Sequence, residues 1–195
     1  SDIEYKYIVK TIFIQNSFFK LTTLLLFSFF ISNTAFSVTY TTISDGSYND
    51  CSIWDNGCPN NNIQQGDTVI INHVVNASSS MNISGVLIIN ASGTVTSTNV
   101  IDVSTVGEIN NDGYFTLDSE LHLDGNFINS GLSVIYFLHI DGSVFNVGTI
   151  KVQDETYIHG GIVDGGGTLL TCNLDMENNS SSVGVTGSEC PELFS

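Results

Sequence analysis

The chain has 195 residues, with 20 Asp and Glu against four Lys and no Arg, a formal charge of −16. That balance excludes nucleic acid as a partner, disfavours anionic membrane surfaces, and leaves almost no cations to grip phosphates or sugar carboxylates. Val, Ile and Leu are too abundant for a disordered chain.

Residues 1–37 read as a secretory signal peptide. Lys6, Lys10 and Lys20 precede the apolar run LTTLLLFSFFI at 21–31, and Ala35 and Ser37 supply small residues three before and one before a cleavage point after Ser37. The run is shorter than the roughly 20 residues needed to span a bilayer. An uncleaved anchor is the competing reading. Without the leader, Lys151 stands alone against 18 acidic residues, a charge of −17.

Residues 38–75 are expected to form an N-terminal cap and the first strands, holding Trp54 and two of the four cysteines, Cys51 and Cys58. Cys172 and Cys190 lie near the other end. In an exported chain an even count points to disulfides. Three pairings are formally open, and the local one, Cys51–Cys58 with Cys172–Cys190, would tie down both ends. Zinc is disfavoured because C-x6-C lacks the short knuckle spacing.

Residues 76–167 carry a repeat. GEINNDG at 107–113, GNFINSG at 125–131, GSVFNVG at 142–148 and GGIVDGG at 160–166 all fit G-x-Φ-x-N/D-x-G, with Φ apolar, and their starts differ by 18, 17 and 18 residues. Between the glycines, apolar and polar residues alternate, as in Leu121–His122–Leu123, which is strand periodicity. Gly, Asn and Asp tolerate left-handed backbone angles and so mark corners. Short strands and sharp corners at constant period make an all-β fold, a single right-handed parallel β-solenoid (β-helix) of 17–18 residues per turn with capped ends. Ile109, Phe127, Val144 and Ile162 are expected to stack as one interior column, and Leu123, Ile140 and Ile158 as a second. Asn111, Asn129, Asn146 and Asp164 are expected to form a corner ladder whose side chains bond along the axis. Residues 168–195 should form the C-terminal cap.

The stretch TYTTISDGSYNDCSIWDNGCPNNNIQQGDTVIINHVV contains Trp54, Gly57 with Pro59, and Gly66-Asp67-Thr68-Val69-Ile70-Ile71 ahead of the glycine- and Asn-marked turns. In this it resembles the N-terminal part of secreted cell-surface proteins of the Bacteroidetes group, and more distantly the G8 type of β-rich extracellular module. The resemblance implies an extracellular, adhesin-like or matrix-like role and carries no catalytic residue.

Chemistry is sparse. Lyases built on β-helices need a basic Arg or Lys, and this chain offers only Lys151 outside the leader. A hydrolase would need a close carboxylate pair. Asp124 and Asp141 fall in register on adjacent turns, but each precedes Gly in a D-G corner, where Asp is a common turn residue. His122 and His139, both in L-H-Φ-D-G, could hold a metal with their neighbouring Asp. A third copy replaces the column with Tyr157 and His159, so the preferred reading is outward-facing strand residues that recur with the turn. Calcium suits so acidic a domain, though no ligand loop is recognisable. The sequence therefore predicts a secreted, non-catalytic structural or adhesive protein without a resident cofactor, binding glycans or other surface proteins or associating end to end. A polysaccharide hydrolase is the alternative. Tyr114, Tyr136 and Tyr157 are the aromatics on which a sugar could stack.

Overall fold

A computed structural model describes residues 37–177 and 181–182. The expected leader, apart from Ser37, and Cys190 with its expected pairing lie outside the described residues. Within them the chain forms a β-solenoid of about six turns, with parallel sheets and no α-helix.

The first turn contains β1 (Thr39–Thr41), β2 (Gly46–Ser47), a 3-10 turn at Cys51–Ile53, and β3 (Asn62–Ile63). The second contains β4 (Thr68–Ile71), β5 (Val74–Ala77) and β6 (Met81–Ile83), and the third β7 (Val86–Ile89), β8 (Thr94–Ser97) and β9 (Ile101–Val103). Later turns fuse their last two strands. They are β10 (Glu108–Asn111) with β11 (Tyr114–Leu123), β12 (Asn126–Asn129) with β13 (Leu132–Ile140), and β14 (Ser143–Asn146) with β15 (Thr149–Ile158). Then come β16 (Ile162–Asp164), β17 (Thr168–Met176) and β18 (Ser181–Ser182).

Three parallel ladders result. The first runs β1-β4-β7-β10-β12-β14-β16-β18. The second, β2-β5-β8, continues into the first half of β11, and the third, β3-β6-β9, into its second half. Where the halves join, the pairing shifts between Leu117 and Glu120, between Ile135 and Leu138, and between Val152 and Glu155.

Alternation fills the core. Val69, Leu87, Ile109, Phe127 and Val144 pair in register on the first ladder and are buried. Ile83, Val103, Leu123, Ile140 and Ile158 do the same on the third. Each such side chain contributes about 1.5–3 kcal/mol by leaving water. Phe115 meets Phe127 edge-on at 6.2 Å.

The Asn ladder forms over three turns. Asn111 Nδ2 donates to Asn129 Oδ1 at 2.8 Å, and Asn129 Nδ2 donates to Asn146 Oδ1 at 2.8 Å, all within the core. Ser133 braces it, accepting from Asn111 Nδ2 and donating to Asn129 Oδ1.

The fourth copy corrects the expected alignment. Val144 pairs with Val163, and Phe145 with Asp164. Ile162 is therefore outside, 51% exposed, and Val163 takes the core position. Asp164 is exposed and leaves the ladder, and Asn146 Nδ2 instead donates to the Thr168 carbonyl at 3.0 Å. The copy starts at Gly161, because one extra residue is absorbed at Gly160, whose φ of +77° suits glycine. A shift of one residue in a strand exchanges its inner and outer faces.

The repeat glycines also have a different cause from the one expected. Among the described residues positive φ occurs at Gly46, Gly57, Gly66, Gly160 and Gly165, not at Gly107, Gly113, Gly125, Gly131, Gly142 or Gly148. A Cβ on Gly131 would strike the Gly113 carbonyl oxygen, and one on Gly142 the Gly125 carbonyl oxygen. Corners stack backbone on backbone, and only hydrogen fits between them.

At the N-terminal end Trp54 and Tyr48 are buried, with rings 5.3 Å apart and edge-on, and Trp54 Nε1 donates to the Tyr48 carbonyl at 3.0 Å. Cys51 and Cys58 form a disulfide. At the other end β17 pairs with β15 along its length, so strand structure runs to Met176, into the stretch expected to be cap. Cys172 lies on β17.

Candidate functional site

The richest group of polar side chains stands on the outer face of the third ladder. Period-two alternation, which sends Leu121, Leu123, Leu138 and Ile140 inward, sends His122, Asp124, His139 and Asp141 outward. Pairing then places Asp102, His122, His139 and Tyr157 side by side on successive turns.

The two imidazoles stack, with centroids 4.6 Å apart and planes at 30°. Their Nε2 atoms converge on one carboxylate oxygen: His122 Nε2 and His139 Nε2 each lie 3.3 Å from Asp141 Oδ2. Asp124 Oδ1 is 3.6 Å from His122 Nε2. The register pair Asp124 and Asp141 thus shares an imidazole. On the far side of the rings, Asp102 Oδ1 faces His122 Nδ1 at 3.5 Å, and Glu120 Oε1 faces His139 Nδ1 at 3.8 Å.

The imidazole column ends at the third copy, where Tyr157 takes the register position beside His139. Tyr157 packs edge-on against His139 at 4.9 Å. One corner further on, His159 Nδ1 reaches Asp141 Oδ1 at 3.1 Å and its Nε2 meets Glu177 Oε2 at 3.1 Å. Partial burial works against a charged His122 ring. The hydrogen bond with Asp141 and the charges of Asp124, Asp102 and Asp141 outweigh it and hold the His122 pKa above the ordinary histidine value. The Tyr157 hydroxyl donates to Glu177 Oε1 at 2.6 Å, and that bond is the main cause of a pKa pushed up to about 12. His122, His139 and Asp141 bring three donor atoms within 4.8 Å of one another, a set with the chemistry to hold a cation.

A second feature lies where the second and third ladders meet. A shallow depression of about 400 Å³ is lined by Val100, Asp118, Ser119, Glu120, Tyr136 and Phe137. Tyr136 is 46% exposed beside these carboxylates. Tyr114 opens β11, at the far end of that strand from His122, so the structure does not gather the three tyrosines into one platform.

A third feature is the outer face of the first ladder. Ile128 pairs with Phe145, between Asn110 and Asp164, while Asn126 pairs with Ser143 and then Ile162, so a short mixed patch of apolar and polar side chains stands here. Ile128, Phe145 and Ile162 are exposed, as are Asn126 and Ser143.

The sequence pattern marks the His122–His139 column, with Tyr157 and His159 in the third copy, but not Asp102, Glu120 and Glu177 as its neighbours. A signal existed for Glu120, because its spacing of two residues from His122 puts both on one strand face. No family model, curated protein or solved structure matches the chain.

Proposed function

We propose that this protein is a non-catalytic structural or adhesive protein of the cell exterior, which engages glycans through the flat outer faces of its solenoid. The observation that carries the reading is the outer face of the first ladder. There the exposed apolar side chains of Ile128, Phe145 and Ile162 lie beside the amide of Asn126 and the hydroxyl of Ser143. Sugar rings present C–H faces that pack on apolar side chains and hydroxyls that bond to amides, and this patch offers both over neighbouring turns. A disulfide is consistent with an oxidising, extracellular setting. Among the described residues no helix is long and apolar enough to cross a membrane. The resemblance to Bacteroidetes-type surface proteins points the same way, with the leader as the export signal.

One observation favours a second reading, a polysaccharide hydrolase. Asp118 and Glu120 line a depression together with Tyr136 and Phe137, the combination of carboxylates and aromatics that a sugar-cleaving site uses. Incubating the full-length protein with a panel of purified polysaccharides separates the two. Retention without shortening of the polymer supports the binding role, and steady release of oligosaccharides would replace it with the enzymatic one.

A further inference from the structure

The geometry points to a divalent transition-metal site on the third ladder, with His122 Nε2, His139 Nε2 and an Asp141 carboxylate oxygen as ligands and Zn²⁺ as the fitting ion. Three independent features support it. The donors have the right spacing: each Nε2 is 3.3 Å from Asp141 Oδ2, and two ligands at roughly 2.0–2.1 Å from a tetrahedral ion lie about 3.3 Å apart. The donor types are also suitable, since two imidazoles and a carboxylate favour borderline transition metals over calcium, which takes oxygen ligands.

The outer contacts provide the third feature. Asp102 Oδ1 lies 3.5 Å from Nδ1 of His122 and Glu120 Oε1 3.8 Å from Nδ1 of His139; these are charge contacts longer than hydrogen bonds, and they put negative charge behind the rings, on the side where outer carboxylates support metal-bound histidines. His159 Nδ1 holds the other oxygen of Asp141 at 3.1 Å. His122 Nε2 has a hydrogen bond with Asp141 Oδ2, but His139 Nε2, sealed from solvent, has no partner in hydrogen-bonding geometry. Three protein ligands leave a fourth position open to water or to a group from another molecule. The backbone also prepares the site: Asp141 N donates to the Leu123 carbonyl at 2.8 Å, fixing the corner that carries the third ligand. The inference does not depend on glycan binding.

The test is calorimetric titration of the chelator-treated full-length protein with Zn²⁺, repeated for variants whose folding is verified by circular dichroism. One Zn²⁺ per chain is expected. H122A and H139A should each weaken binding by about a hundredfold or more, and D102N and E120Q by about tenfold, the usual range for outer contacts. D164N, an exposed carboxylate elsewhere, should change nothing. Co²⁺ in place of Zn²⁺ should give the intense visible absorption of a low-coordinate site, lost in H139A. Absence of Zn²⁺ binding, affinity unchanged in both histidine variants, or displacement by equimolar Ca²⁺ would each overturn the assignment.

Discussion

Asn129 donates its side-chain amide to Oδ1 of Asn146, 2.8 Å away, with both residues buried on adjacent turns of the solenoid. The bond explains how a polar residue can occupy a core position on three successive turns. Each amide finds its partner one strand spacing further along the axis, and the ladder ends where the Thr168 carbonyl accepts from Asn146. Replacing Asn129 by Ala deprives the Ser133 hydroxyl of its acceptor and Asn146 Oδ1 of its donor, while Asn111 Nδ2 keeps Ser133 Oγ and the Leu132 carbonyl. N129A should therefore lose about 2–4 kcal/mol, since each orphaned buried group costs about 1–3 kcal/mol. D164A, outside the ladder, should stay within about 0.5 kcal/mol of the parent. Equilibrium urea unfolding measures both, and equal losses would contradict the alignment of the fourth turn.

The glycine corners make a steric prediction. G131A forces a methyl group against the Gly113 carbonyl, whereas nothing lies within 4 Å of a Cβ at Gly166. G131A should cost about 1–3 kcal/mol, the usual penalty for overpacking, and G166A should be nearly neutral. Thermal unfolding of the two variants checks this. A neutral G131A would mean that the corners are looser than described.

The N-terminal end carries a pH signature. Burial, reinforced by nearby Tyr40, raises the Tyr48 pKa above the ordinary tyrosine value. A phenol whose folded pKa is raised contributes stability that is complete below the unfolded value of about 10 and is lost as pH rises beyond it. Stability should fall above about pH 10, and the fall should be smaller in Y48F. Absorbance titration of the phenolates alongside urea unfolding at several alkaline pH values tests this. A wild-type dependence identical to that of Y48F would contradict it.

The architecture was legible in the sequence because a solenoid writes its period into the chain. The glycine spacing, the alternation at Leu121–Leu123 and the columns through Ile109, Phe127 and Val144 all follow from one repeated turn. The fourth copy misled because GGIVDGG contains two leading glycines, and the pattern fits one frame while the hydrogen bonds select the other. Pattern alone also cannot separate a glycine needed for its φ from one needed for its missing Cβ. The cation site was half legible. His122 and His139 were visibly in register, but Asp141 as a shared partner, and Asp102 and Glu120 behind the rings, depend on which way each side chain leans along the ladder.

The proposed function holds that the outer faces of the solenoid bind glycans and do not cleave them. It is tested most directly by glycan-array binding of the full-length protein beside the variant I128S/F145S/I162S, whose substitutions fall on exposed side chains of the first ladder. The parent chain should retain one class of polysaccharide selectively and without shortening it, and the triple variant should lose about tenfold or more in affinity, each truncated apolar contact costing about 0.5–1 kcal/mol. Binding unaffected by the triple substitution, or cleavage of the retained polysaccharide, would contradict it.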